Sequence, residues 1–366
     1  MFPLLSLLFL NFLSLILGKE FAVVSYLPEW RYSGANFEVI CLVSTHLIFF
    51  SLEPNFDGKI LGFDERFPSQ DILNDARHHG CQIMICFGGN GRSNGFSNMT
   101  RNPLYRHNFL NELQELMTQY QLDGVDYNWE YPGYSFGYGY HSEDEIQKDY
   151  QGLKDLLIET RQRLGPQKII TIAYYPDKRQ EKIFLETGIA TDDHLVDLMH
   201  IMAYDQSGAH HSSYKFGVFA LNQGIEIGLP KEKLTLGLPF YGRNRATGDW
   251  TTYEDLVQKY HPLNQTLDQL SAPPVKKKNT RSKSKKETTT ITFNGIETIQ
   301  KKTQYALDRG AGGVMIWEGG GDCRVKEVTR GGQTHVATCP NGEDSSLLIA
   351  IKRVIQGCRK IDNEEL

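Results

Sequence analysis

Asp126, Asn128 and Glu130 alternate with Val125, Tyr127 and Trp129 in the middle of the chain. In a β-strand, successive side chains point to opposite faces, so the three polar groups share one face and the three apolar groups the other. Burying two carboxylates and an amide costs free energy unless they are hydrogen-bonded, paired or functional. Carboxylates so placed can do acid–base work, one held protonated as a donor while its neighbour is ionised. The bland alternative is a hydrogen-bonded network that only holds the interior together. Where parallel strands form a barrel, reactive groups sit at the strands' C-terminal ends. Glu130 is the last of the three and is the candidate catalytic group.

The elements that must position these groups are legible as eight short apolar runs, at residues 21–27, 46–52, 82–87, 124–129, 169–174, 198–203, 234–240 and 313–317. Several are continuous rather than alternating, as strands buried on both faces should be. Amphipathic stretches at 104–120, 143–164 and 297–309 lie between them, and 345–357 would close the ring. Strand–helix alternation with eight units predicts an α/β fold, a (β/α)₈ barrel forming one domain over residues 19–360. Within strand four the polar face then points into the barrel, toward its mouth.

The chain has 366 residues, 40% hydrophobic and 23% charged, which is enough apolar material for such a core. A net charge of −5 gives no global reason to expect nucleic acid as a partner. Residues 1–18 form an apolar run followed at once by Lys19 and Glu20, which reads as a signal peptide rather than an anchor, with no membrane span in the mature chain. Sequons at Asn98 and Asn264 fit a secreted or lumenal glycoprotein. The six cysteines (Cys41, Cys81, Cys86, Cys323, Cys339 and Cys358) allow 15 pairings. Cys41 and Cys81 each precede a strand-like run and could meet at the bottom of neighbouring units. Cys323 and Cys339 bracket one loop, and Cys86 lies inside a strand as a candidate buried free thiol. The acidic tail, residues 361–366, ends in a loose relative of an endoplasmic-reticulum retention signal; a solvated tail is the favoured reading. Residues 272–290 carry seven Lys or Arg, one Glu and no aromatic residue, and read as a disordered insertion. No metal cluster and no phosphate-binding glycine loop is apparent, so no cofactor is expected, and a monomer is expected.

Asp123, Gly124, Asp126 and Glu130 match the Asp-Gly-x-Asp-x-Asp-x-Glu signature of family-18 glycoside hydrolases, the chitinases and their relatives, which this chain resembles. Further blocks fall in the family's order. They are Val24-Ser25-Tyr26-Leu27-Pro28-Glu29-Trp30, Thr45-His46-Leu47-Ile48-Phe49-Phe50, Cys86-Phe87-Gly88-Gly89 (Cys for the usual Ser), Met202-Ala203-Tyr204-Asp205, Pro239-Phe240-Tyr241-Gly242-Arg243 and Gly313-Val314-Met315-Ile316-Trp317. The resemblance spans nearly the whole mature chain and implies substrate-assisted retaining hydrolysis, in which the substrate's own N-acetyl carbonyl attacks the anomeric carbon. Glu130 would be acid and then base, with Asp126 raising its pKa. Tyr204 would aim the acetamide, Asp205 and Arg243 would hold hydroxyls and local charge, and Trp317 would be the apolar floor. The resemblance also places Asp123, Tyr26, Phe50, Gly88, Gly89, Tyr131, Met202 and Tyr241 at the substrate site.

Asn128 departs from the family, which has Asp there. An Asn carbonyl can accept the acetamide N–H but supplies no charge and takes no proton, so slower turnover is expected. The aromatic stretch 131–140 reads as one edge of a glycan groove. Between the seventh and eighth strands, where many relatives carry an extra α+β domain, little strand-like sequence is visible besides the Lys-rich segment. A shallow groove is therefore expected, for chitin, chito-oligosaccharides or another N-acetylglucosamine-containing glycan, with short or soluble oligosaccharides favoured over long crystalline chitin. The competing readings are a lectin silenced by Asn128, and an endo-β-N-acetylglucosaminidase acting on the chitobiose core of N-glycans.

Overall fold

Eight parallel strands form the centre of the protein: Ala22–Pro28, His46–Pro54, Gln82–Gly88, Gly124–Asn128, Ile169–Tyr174, Leu198–Ile201, Leu234–Pro239 and Gly313–Trp317. The computed structural model describes residues 20–261, 263–272 and 289–364. Each strand pairs with the next, and the first pairs with both the second and the eighth, so the sheet closes into a barrel. A helix follows every strand, from Phe37–Val43 after the first to Leu347–Glu364 after the eighth. The fold is the single-domain (β/α)₈ barrel that the alternation predicts. The expected signal peptide, the core of the Lys-rich insertion and the last two residues lie outside the described residues.

The two faces of the strands bury different cores. Val125, Tyr127 and Trp129 join the large apolar layer between strands and helices, together with Phe87, Phe109 and Phe96. Tyr26, Ile48, Phe50, Met84, Cys86, Ala173 and Met315 fill the barrel itself. Strand four's polar face enters this second layer, as alternation requires.

Helix Glu143–Leu164 shows why the local sequence holds. Ser142 caps it by accepting from the Glu145 N–H, acidic residues fill the first turn and Arg161 and Arg163 the last, matching the helix dipole. Gly165 ends it at φ 82°, a conformation suited to glycine. The last helix runs to Glu364, beyond the stretch 345–357 expected from sequence, so the backbone of most of the acidic tail continues that helix.

Two features differ from expectation or refine it. The interval between strands seven and eight is not poor in strands: Trp250–Thr252, Tyr241–Asn244, Thr289–Thr292 and Gln269–Ala272 form a small antiparallel sheet in that order. Segments of three or four residues are too short to show a hydrophobic period, and their pairing flanks the Lys-rich segment, so only tertiary contact reveals them. Of the two sequons, Asn264 and Thr266 are both exposed in a loop, whereas Asn98 is exposed on helix Phe96–Arg101 but its Thr100 is buried.

Disulfides join Cys41 to Cys81 and Cys323 to Cys339, and Cys86 is a buried free thiol. The first bridge ties the helix after strand one to the entry of strand three across 40 residues. By loop-closure entropy it should contribute about 2–4 kcal/mol. A Cys41→Ser/Cys81→Ser variant is therefore expected to unfold at clearly lower denaturant concentration; an unchanged midpoint would show that packing alone holds this corner.

Candidate active site

Strand four delivers Asp126 and Asn128, and its last turn delivers Glu130. The parallel register sets Cys86 beside Asp126 and Asp126 beside Thr171, all facing inward at one level of the barrel. Asp126 is fully buried. Its two oxygens accept from the Tyr26 hydroxyl at 2.8 Å and the Thr171 hydroxyl at 2.7 Å. Burial pushes its carboxyl up to about 6, against the opposing pull of hydrogen bonds from Thr171, Tyr26 and Cys86. His200 lies beside it, with Nε2 3.9 Å from Asp126, and burial depresses its pKa to about 3, so it is neutral.

Glu130 stands at the rim of this column. Its backbone N–H donates to the Ser93 hydroxyl at 3.1 Å, and Asn128 Nδ2 donates to Glu130 Oε1 at 3.2 Å. Burial raises the Glu130 carboxyl to about 7; the Asn128 amide opposes this and the charge of Asp205 adds to it. The supporting charge thus differs from the expectation. Asp126 is occupied by Tyr26 and Thr171, and Asp205 reaches across from the loop after strand six. A carboxyl titrating near neutrality can both give and take a proton at working pH.

Asp205 follows Tyr204 just beyond the sixth strand. It accepts from the Tyr241 hydroxyl at 2.8 Å and lies 3.5 Å from Arg243. Tyr241 and Arg243 come from the strand Tyr241–Asn244, and Tyr241 stacks on Trp250 at 4.2 Å between ring centroids.

These groups surround a cleft of about 690 Å³ at the barrel mouth. Trp317 and Phe50 line it and meet edge to face at 4.6 Å, and Trp250 and Tyr131 also line it. The aromatic stretch forms a hairpin, Tyr134–Ser135 against Gly139–Tyr140. Asp149 of helix Glu143–Leu164 tethers its start by accepting from the Gly133 N–H at 2.8 Å. Among the described residues, three polar atoms here lack a strong protein partner. Asn128 Oδ1 and Trp317 Nε1 are buried and unpaired, and the Tyr204 hydroxyl reaches only the Met315 sulfur at 3.6 Å. An acceptor and two donors around one aromatic cleft suit a ligand carrying both an amide and hydroxyls.

Tyr26, Phe50, Asn128, Glu130, Tyr131, Met202, Tyr204, Asp205 and Trp317, all expected at the site, line the cleft. Asp126 lies beneath it, and Tyr241 and Arg243 stand behind Asp205. Asp123 is elsewhere. Its carboxylate accepts from the Ile83 N–H at 2.7 Å at the strands' N-terminal ends, so it stitches the barrel bottom and cannot reach substrate. Gly88 and Gly89 do not line the cleft either. Their φ values are 101° and 97°, and a Cβ on Gly89 would come within 2.3 Å of the Phe50 ring, so they permit close packing behind the wall. Sequence reading missed Asn90, Tyr175 and Asp177 in loops, Trp250 in the small sheet, Trp30 in the short helix Glu29–Gly34 and Gln180 in helix Arg179–Glu186, all of which line the cleft. Loop residues carry no periodic signal that could have found them.

Residues 22–322 match the family described as Glycosyl hydrolases family 18. Probable chitinase 2 of Drosophila melanogaster is 25% identical over 69% of this chain and 59% of its own length. Chitinase 1 of Aphanocladium album is 24% identical over 82% of each chain. The chain spans less than two thirds of several of these relatives, including 40% of chitinase A1 of Niallia circulans. Among solved structures, catalytic domain 2 of a group II chitinase from Ostrinia furnacalis matches with a TM-score of 0.69 at 19% identity, covering 92% of this chain and 97% of that one. Chitinase ChiB of Flavobacterium johnsoniae matches at 0.66 with 24% identity, covering 92% and 94%. At these identities the structural likeness bears on the fold. The family match runs through all eight strands and the residues they carry to the cleft, and the chain belongs to glycosyl hydrolase family 18.

Proposed function

We propose that the protein hydrolyses β-1,4 bonds within N-acetylglucosamine oligomers by substrate-assisted retaining catalysis, in the secretory pathway or outside the cell. The carrying observation is a carboxyl poised near neutrality, Glu130, beside an unpaired buried acceptor, Asn128 Oδ1. The names of the relatives, all chitinases in the comparisons above, point to the same substrate. Two disulfides suit an oxidising compartment.

In this reading Glu130 gives its proton to the glycosidic oxygen as the bond to the anomeric carbon breaks. The acetamide carbonyl oxygen of the same sugar attacks that carbon from the opposite face and forms an oxazolinium ion. Asn128 Oδ1 accepts the acetamide N–H and the Tyr204 hydroxyl donates to its carbonyl, holding the nucleophile in line. Trp317 is the floor under the sugar. The Glu130 carboxylate then takes a proton from water, whose oxygen opens the ring with net retention.

The first test is cleavage of fluorogenic chitobioside and chitotrioside by the secreted protein. Release of fluorophore supports the hydrolase. Binding of the oligosaccharides without release from about pH 4 to about pH 8 would make the protein a lectin on this barrel. The pH profile carries its own prediction. The first step needs protonated Glu130, whose pKa is raised from 4.5 to about 7. Turnover should therefore persist to near neutrality and fall as pH rises through about 7. A fall already complete at pH 5 would mean that the acid has an ordinary carboxylate pKa and is another group.

A further inference from the structure

Asp205 has φ 58°, a region that side chains other than glycine seldom occupy although aspartate tolerates it. Such a conformation persists where surrounding contacts over-determine it. Two of those contacts, Tyr241 and Arg243, are described above. A third is His211, whose Nδ1 lies 3.5 Å from the same carboxylate oxygen that Tyr241 engages. His211 is only 5% exposed, and among the described residues neither ring nitrogen has a close hydrogen-bond partner. An imidazole buried in this way is costly unless its N–H serves some group in the course of function.

The segment carrying His211 is anchored independently of the cleft. His210 Nε2 lies 3.1 Å from the Asp268 carbonyl and 3.0 Å from the Phe293 carbonyl, while its Nδ1 accepts from the Ser212 N–H. Ser212 donates to the Ala203 carbonyl, and the buried Lys302 ammonium donates to the Ser212 carbonyl at 3.0 Å and to Asn294 at 2.7 Å. The His211 ring itself is fenced by His210, parallel at 5.8 Å, and by Tyr241 at 5.0 Å. It has little freedom to withdraw from Asp205.

We propose that His211, as a neutral imidazole donating from Nδ1, is a positioning residue that holds Asp205 toward the cleft and so sustains the proton on Glu130. The proposal rests on the hydrolase reading above. The charged and titratable groups facing His211 are Asp205, Arg243, Lys302, His210 and Tyr241. Burial lowers the His211 pKa below 6.5, Asp205 opposes that, and Lys302 and Arg243 add to the lowering. A neutral ring donates a hydrogen bond without cancelling the negative charge of Asp205, which is what helps to raise Glu130. An imidazolium would cancel it.

Two variants and one titration test this. H211F keeps the ring's bulk and removes the N–H; H211N restores a donor close to the Nδ1 position. With chitotrioside, H211F is expected to lose about tenfold in kcat, as a misplaced group does. Its alkaline limb should move to lower pH, KM should change little, and H211N should recover most of both losses. Thermal unfolding of each variant separates loss of fold from loss of positioning. A wild-type kcat and an unmoved limb in folded H211F would overturn the proposal. The second measurement needs no substrate: NMR titration of the His211 imidazole in wild-type protein and in D205N. Removing the carboxylate should move the titration to lower pH, and an unmoved titration would also overturn the pairing. Wild-type protein that cleaves nothing would count against the hydrolase reading alone, because the imidazole titration reads the pair directly.

Discussion

Glu130→Gln should lower the turnover of chitotrioside by about 10²–10⁴-fold, the usual contribution of a positioned acid–base group. Gln has the same shape and can accept the Asn128 amide hydrogen that now reaches Oε1 at 3.2 Å. The backbone anchor from the Glu130 N–H to Ser93 is untouched. Oligosaccharide affinity and folding stability should therefore stay near wild type while kcat falls, because an amide neither delivers nor retrieves a proton at these pH values. The alkaline limb near pH 7 should vanish with it, since that limb is the titration of this carboxyl. Residual cleavage within tenfold of wild type would move the acid role elsewhere. Asp205 would be the next carboxylate to test, because Asp126 is sealed beneath the cleft with both oxygens engaged.

Asn128→Asp should act in the opposite direction and raise turnover by about 10–100-fold. Two effects combine. A carboxylate near the oxazolinium places a negative charge where positive charge develops; at a separation of a few ångströms even an effective dielectric near 20 leaves up to about 4 kcal/mol to draw on. The present amide also donates to Glu130 and so favours its ionised form, whereas a carboxyl at this position would share a proton with Glu130 and favour the protonated one. The alkaline limb should rise with kcat. KM should move little, because Asn and Asp oxygens both accept the acetamide N–H. Unchanged or lower turnover would show that the cleft has been rebuilt around the amide, with Tyr204, Asp205 and Glu130 tuned to its absence of charge.

Much of the barrel was legible because its chemistry is repetitive. Runs such as residues 169–174 and 313–317 are continuous apolar stretches since parallel strands are covered on both faces, and the strands Ile169–Tyr174 and Gly313–Trp317 match them. The alternation through residues 125–130 divided inside from outside for the same physical reason. The two bonded cysteine pairs also lay where the topology suggested, at neighbouring barrel corners and across one loop.

The sequence by itself determined which residues face the barrel interior and that Glu130 ends that row, because a two-residue period is a local property of the strand. It could not determine which charge tunes Glu130. Asp126 is four residues away along the chain, yet Tyr26 and Thr171 occupy it, while Asp205 arrives from the loop beyond the sixth strand. Nor could it place Trp250 in the cleft or His211 against Asp205, because both depend on a small sheet whose strands are too short to carry a period. It likewise put Asp123 with the substrate, where the closed barrel sets it at the far end on the Ile83 N–H. Facing direction is set by the strand's own pleat; proximity across the mouth is set by closure of the ring and by loops that only the folded chain brings together.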